Sequence, residues 1–143
     1  MAITRAQQQL LQQSLEQLIV IPAALDDFYA ALIEFAPHTA TLFSTERTQH
    51  SQRLLIAFQA IIKGLEQPEK LVPLLQRLAQ RHLDYGVTTA DFTPFGNAWL
   101  YVLKAQLGDT WSPAHRDAWV ALLRLIATVM KQQMQKQLTT DVQ

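Results

Sequence analysis

The feature that most constrains this sequence is an apolar stripe that ends in a histidine. Four leucines between positions 71 and 78, followed by His82, recur at steps of three and four residues. An α-helix would place all of them on one face, and Gly86 follows as a natural helix stop. An imidazole at the end of an inward-facing stripe has two main uses. Either its nitrogens form hydrogen bonds in the core, or one of them binds a metal.

The remaining chain also predicts helices, and none of its segments indicates a β-strand. Apolar residues at helical spacing alternate with breaks marked by proline and glycine. We expect a first helix capped by Thr4 and running to about Val20, with four residues facing inward: Leu11, Leu15, Leu18 and Ile19. The other predicted helices span about 22–36, 48–65, 68–85 and 89–107, with a short turn at 37–43 and a polar loop at 44–48. A final helix begins at about Pro113, runs through Met130 and fades over residues 131–143.

The composition, with 49% hydrophobic and 17% charged residues, is typical of an ordered protein. We expect one domain that covers residues 1–143. We expect its ends, 1–7 and 135–143, to be frayed. A formal net charge of zero gives no general attraction to nucleic acid or to anionic lipid. No apolar run approaches the roughly 20 residues of a membrane span, so we expect neither nucleic acid nor membrane as a partner.

The sequence contains no cysteine. This excludes disulfides, thiolate metal sites and thiol catalysis. It also fits a cytoplasmic protein, because disulfides belong mainly to oxidising compartments. The first residues lack the basic-then-apolar layout of a secretory signal, which favours the same location.

A second histidine, His50, shares a predicted helix face with Leu54 and Phe58. It lies near the start of its helix, whereas His82 lies near the end of another. Two such helices could form the walls of a slot with the imidazoles pointing at each other. A flat, apolar ring that carries iron would suit this slot. Iron held by one imidazole leaves the opposite coordination position for a gas or for the second imidazole.

Three stretches, 28–32, 37–43 and 81–87, resemble bacterial single-domain globins and the haem domain of flavohaemoglobins. The match extends over about residues 8–134, and the joint spacing of Tyr29, Phe43, His50 and His82 carries it. The resemblance implies an all-α globin fold whose helices stack in two layers around a pocket for haem b. His82 corresponds to the proximal iron ligand. Tyr29 and His50 correspond to distal positions that stabilise a gas ligand, although His50 could itself coordinate the iron.

The resemblance also implies a set of haem-contacting residues. Phe43 matches the aromatic that packs on the haem face, and Arg53 lies where it could pair with a propionate, a role that Arg47 or Arg81 could also fill. The other pocket positions are Leu54, Leu78, Val87, Phe92 and Phe95.

The sequence departs from flavohaemoglobins beside the proximal histidine. There the family has a tyrosine and a glutamate that accept hydrogen bonds from the imidazole, which favours O–O bond cleavage. The matching residues here, Phe92 and Met134, accept no strong hydrogen bond. We therefore expect a backbone carbonyl near Leu78 to bind the other nitrogen of His82, and a proximal ligand suited to reversible binding.

Several functions remain open. The leading hypothesis is reversible binding of O2, and also of CO or NO. The alternatives are a nitric oxide dioxygenase that uses an external reductase, a bis-histidine redox or sensor globin, and a haem-free globin-like module. We expect His38 and His115 to lie at the surface, and the three tryptophans to need no more than packing as an explanation.

Overall fold

The computed structural model describes the backbone of residues 3–43 and 47–142 and the side chains of residues 3–41 and 50–139. Six α-helices form this part of the chain, without a strand: α1 (Arg5–Ile19), α2 (Ala24–Phe35), α3 (Arg47–Gly64), α4 (Pro68–Asp84), α5 (Phe92–Leu107) and α6 (Pro113–Val142). Short 3-10 helices lie at Pro37–Phe43, Thr89–Asp91 and Gly108–Thr110. The prediction of an all-α fold is confirmed. None of the helices described is long and apolar enough to cross a bilayer.

The helix ends follow the local sequence signals. Thr4 forms a capping box, in which its hydroxyl accepts from the Gln7 amide at 3.1 Å and the Gln7 side chain accepts from the Thr4 amide at 3.0 Å. Gly86 and Gly108 follow α4 and α5 with positive φ angles of 93° and 51°, a backbone conformation that a side chain makes costly. The predicted loop at 44–48 falls mostly outside the described residues. Helix begins at Arg5 and extends to Val142, and fraying of these ends stays a prediction.

An aromatic cluster holds four of the helices together. The Phe58 ring of α3 stacks on Trp99 of α5 with centroids 4.6 Å apart. Phe28 of α2 meets Trp99 edge-on at 5.3 Å, and Trp119 of α6 meets it at 5.8 Å. Each such ring pair contributes about 0.5–1.5 kcal/mol beyond its buried area. Trp99 and Trp119 therefore both pack in this cluster.

A buried hydrogen bond fastens α1 to α6. The Trp119 indole nitrogen donates to the Ser14 hydroxyl at 2.8 Å, and this hydroxyl donates to the Leu10 carbonyl at 2.6 Å. Ser14 therefore belongs to the inward stripe of α1, with Leu11, Leu15 and Leu18. The prediction that Ile19 faces inward is wrong, because α1 ends at Ile19 and its side chain is 36% exposed.

A polar contact joins the 3-10 helix Pro37–Phe43 to the start of α5. The His38 Nε2 atom lies 2.5 Å from one carboxylate oxygen of Asp91, and the Thr88 amide donates to the other oxygen at 2.9 Å. Burial by itself would raise the pKa of Asp91, but the hydrogen bonds from Thr88 and His38 outweigh burial and lower it. His38 lies at the surface, as expected, with a side chain 64% exposed.

The Asp91 carboxylate is expected to make the free energy of unfolding depend on pH in the acid range. Its pKa is lower in the folded chain than in the unfolded chain, so the ionised form stabilises the fold above a pH of about 4 and this contribution is lost as pH falls further. Asp91→Asn should reduce the free energy of unfolding at pH 7 and should also flatten its decline between pH 7 and pH 3. Urea unfolding followed by circular dichroism measures both effects. The control is Asp117→Asn at an exposed position; an Asp91 variant as acid-sensitive as the parent would contradict the prediction.

Candidate functional site: a cleft between α3 and α4

The two helices that carry His50 and His82 pack closely beside the connection that joins them. A Cβ atom added at Gly64, the last residue of α3, would lie 3.3 Å from the Cδ1 atom of Leu71 in the first turns of α4. The glycine thus permits a close approach of the two backbones. Ile61, Ile62 and Leu71 are buried at this contact.

Away from the connection, part of the inward surface of each helix is only half-buried. On α4, Leu71, Leu75 and Ala79 form a buried stripe, whereas the neighbouring stripe that ends in Leu78 and His82 is half-buried. His50 and Leu54, in the first half of α3, are also half-buried. An apolar opening between the two helices would leave their side chains in this state. We call the region that these residues occupy the α3–α4 cleft.

At the start of α5, half-buried apolar residues again lie next to fully buried ones. Phe92 and Phe95 are half-buried, whereas Ala98 and Trp99, one turn further, are fully buried. Ring contacts connect α2 and α3 to this point. Phe28 meets both Tyr29 and Phe95 with centroids 5.1 Å apart, and Phe95 lies 6.4 Å from Phe58, one turn beyond Leu54. The ring contacts therefore bring Phe28, Phe58 and Phe95 together, with Tyr29 beside Phe28.

His82 is held in one orientation and one tautomer. Its Nδ1 atom lies 2.6 Å from the Leu78 carbonyl oxygen. Since a carbonyl can only accept, Nδ1 carries the proton and Nε2 carries the lone pair. This is the hydrogen bond expected from the sequence. Burial lowers the pKa of His82, and the hydrogen bond to Leu78 opposes this only in part. The imidazole is therefore neutral at neutral pH, as a metal ligand must be.

The other predicted pocket residues occupy different environments. Tyr29 is 2% exposed on α2. Val87 is half-buried, and its amide donates to the His82 carbonyl at 2.9 Å, which ties it to the end of α4. Arg53 is exposed, as a residue at the edge of a slot must be. The side chains of Phe43 and Arg47 lie outside the described residues. The roles of all these residues toward a cofactor stay predictions.

His115, which the sequence predicts at the surface, is only partly exposed. His115 is half-buried rather than exposed, because its Nδ1 atom lies 2.7 Å from the Ser112 hydroxyl and its ring stacks on Trp111 with centroids 5.9 Å apart. His115 is therefore less exposed than an isolated surface side chain would be. This histidine supports the start of α6.

These residues fit a planar apolar group with a metal at its centre. A neutral imidazole presents a lone pair, and half-buried leucine and phenylalanine side chains offer apolar faces that such a group would cover. Covering apolar surface contributes roughly 25 cal/mol per Å². The chemistry of these residues therefore fits a metalloporphyrin, which would be held through one protein ligand together with apolar contacts.

Comparisons with known proteins identify the family of this chain. A family model for globins matches residues 26–130. The neuroglobin of Chaenocephalus aceratus is 26% identical over 118 residues, which cover 73% of this chain and 74% of that protein. The neuroglobin of Danio rerio is 25% identical over 116 residues, covering 71% and 73%.

Solved structures show the same fold. A bacterial globin from Campylobacter jejuni superposes with a TM-score of 0.77 at 20% identity, covering 95% of this chain and 99% of that one. A hexacoordinated heme protein from an anhydrobiotic tardigrade gives a TM-score of 0.75 at 12% identity, covering 92% and 95%. The resemblance stated from the sequence is confirmed, since the matched region covers most of the chain. The chain belongs to the globin family.

Proposed function

We propose that this globin binds haem and, through it, reversibly binds a diatomic gas: O2 first, and also CO or NO. The observation that carries the proposal is the state of His82. Its Nδ1–H is bound to the Leu78 carbonyl at 2.6 Å, its burial keeps the imidazole neutral, and its Nε2 lone pair remains for a metal. A structural core histidine could form the same bond to Leu78, and the globin match over residues 26–130 favours the ligand role.

The residues that would hold haem follow from the cleft. His82 would supply the axial nitrogen, and apolar contacts would come from Leu54, Leu78, Val87, Phe92 and Phe95. Arg53, exposed at the edge, would pair with a propionate, and Phe43 would pack on the ring. When bound, haem supplies an iron centre with an open coordination position for a gas. We infer haem b, because a thioether-linked haem needs cysteines that this sequence lacks.

On the opposite side of the cleft, Tyr29 and His50 would select the ligand. A phenol hydroxyl and an imidazole N–H can each donate a hydrogen bond. Tyr29 is almost fully buried and His50 half-buried, so a bond from either would form in a poorly hydrated region. Such donors would stabilise bound O2, which becomes partly anionic, more than they would stabilise bound CO.

The hydrogen-bond acceptor of His82 favours reversible gas binding over cleavage of the O–O bond. The Leu78 carbonyl is a neutral acceptor, and it gives the imidazole less anionic character than a carboxylate would. Phe92 and Met134 occupy the positions where flavohaemoglobins have a tyrosine and a glutamate. We therefore rank nitric oxide dioxygenase with an external reductase below gas binding. A cytoplasmic location, supported by the cysteine-free sequence, fits either function.

A second candidate is a bis-histidine globin, in which His50 coordinates the iron opposite His82. The half-buried position of His50 in the first half of α3 supports it. So does the fold shared with the hexacoordinated heme protein of a tardigrade. External ligands would then have to displace the imidazole, which suits a redox or sensor role more than gas storage.

Removal of the proximal imidazole is the central test of haem binding. His82→Gly should lose haem or give altered ferric, ferrous and CO-bound absorption spectra, and added imidazole should restore the parent spectra by occupying the vacated space. His115→Gln, at a half-buried histidine outside the cleft, is the matched control and should change none of them. Haem uptake by His82→Gly with unaltered spectra and no response to imidazole would overturn the proposal.

The distal donors are expected to slow the release of O2. A hydrogen bond of about 1.5–3 kcal/mol corresponds to roughly a ten- to a hundredfold change in dissociation rate. Tyr29→Phe and His50→Leu should therefore speed O2 dissociation, measured by stopped-flow displacement with CO, and should change CO dissociation much less. Unchanged O2 dissociation in both variants contradicts this account of ligand stabilisation, while leaving haem binding itself intact.

The ferrous spectrum without added ligand separates gas binding from bis-histidine ligation. A five-coordinate, high-spin ferrous spectrum is expected if His50 only donates hydrogen bonds. A six-coordinate, low-spin spectrum that becomes five-coordinate in His50→Leu supports the bis-histidine candidate instead. Gln52→Leu, an exposed position on the same helix, is the control and should leave the spectrum unchanged.

A further inference from the structure

A second concave surface lies away from the α3–α4 cleft, between the end of α2, the outer face of α5 and the start of α6. It is a groove of about 490 Å³ whose lining includes Phe35, Leu100, Tyr101, Lys104, Trp111 and Arg116. None of these residues belongs to the cleft. We call it the α2–α5–α6 groove, and the proposed haem site gives it no role.

The groove has an aromatic wall that is open to solvent. Phe35 is 47% exposed and Tyr101 is 60% exposed, and their rings meet edge-on with centroids 6.2 Å apart. Single exposed apolar residues are ordinary on protein surfaces, whereas apolar residues grouped in a concave site indicate binding. Trp111 and Leu100, both half-buried, extend this apolar surface.

Both charged side chains that line the groove are basic. Lys104 follows Tyr101 by three residues, so the two lie on neighbouring positions of one face of α5. Arg116 comes from the first turn of α6. Two exposed cations beside an aromatic wall are complementary to an anion that carries an apolar ring. An arginine guanidinium in particular matches the planar geometry of a carboxylate.

We propose that the α2–α5–α6 groove binds a small aromatic carboxylate, with its ring against Phe35, Tyr101 and Trp111 and its carboxylate beside Lys104 and Arg116. The groove volume falls in the usual range for small-molecule sites, about 300–1,000 Å³. A second copy of the chain fits less well, because a two-fold contact uses the same surface on both partners. It would bring two basic pairs toward each other, and like charges oppose association.

The direct test is an NMR titration of the purified protein, with its haem kept in the diamagnetic ferrous CO state. The probe is 1-naphthylacetate, and the neutral amide 1-naphthylacetamide is its matched control. The acid should shift the Trp111 indole N–H signal saturably, with a Kd on the order of 1 mM or below. The Trp99 and Trp119 signals, both from buried side chains, should not move. The amide should bind at least several-fold more weakly.

Substitutions at the groove test whether 1-naphthylacetate binds there. Lys104→Gln and Arg116→Gln should each weaken 1-naphthylacetate binding by about two- to fivefold, the size expected of exposed charge pairs, and should leave amide binding unchanged. Tyr101→Ala should weaken both probes. Arg124→Gln, at an exposed position on α6, controls for net charge. All four substitutions are at exposed positions, so thermal unfolding should stay close to that of the parent.

Three results would overturn the proposal. The first is a Trp111 signal that does not respond to the acid, and the second is equal affinity for acid and amide. The third is sedimentation equilibrium showing a dimer at micromolar concentration that Tyr101→Ala dissociates, which would make a second copy the occupant. Protein that takes up no haem or CO is titrated in the same way as purified, so failure of either proposal leaves the other standing.

Discussion

The hydrogen bond between the His82 ring and the Leu78 carbonyl is the interaction on which the site depends. It is available because helical side chains lean toward the preceding turn, which brings the ring at position 82 to the carbonyl four residues earlier. The same bond fixes the tautomer, the ring orientation and the direction of the Nε2 lone pair. Burial keeps the imidazole neutral by lowering the pKa of His82, and the hydrogen bond to Leu78 opposes this only in part.

The cleft follows from how α3 and α4 meet. Gly64 permits close packing on Leu71 beside the connection, and the aromatic cluster around Phe58 and Trp99 fills the space behind it. Beyond that contact, Leu75 and Ala79 are buried, whereas Leu54, Leu78 and His82 stay half-buried. A ligand that covered these half-buried side chains would stabilise the fold. The proposed planar apolar group would do so, next to an imidazole that could bind its metal.

Local features could be predicted from the sequence, and contacts between distant residues could not. The helices, the Thr4 cap, the Gly86 stop and the carbonyl partner of His82 depend on residues within one or two turns. By contrast, the Trp119–Ser14 bond joins residues 105 apart, and the His38–Asp91 contact joins residues 53 apart. No periodicity indicates such pairs. Ile19 fitted the helical period, yet it is exposed because the helix ends there, and His115 is half-buried because of the turn before α6.

The two candidate sites differ in how far their ionisable side chains are exposed to water. In the α3–α4 cleft, burial disfavours charge, so His82 presents a neutral lone pair that a metal can take. In the α2–α5–α6 groove, Lys104 and Arg116 remain exposed, where water stabilises their charges and an anion can reach them. Helix α5 serves both, with Phe95 toward the cleft and Tyr101 toward the groove. Because these residues are six positions apart on a helix of 3.6 residues per turn, they point to different sides, and each surface can take its own ligand.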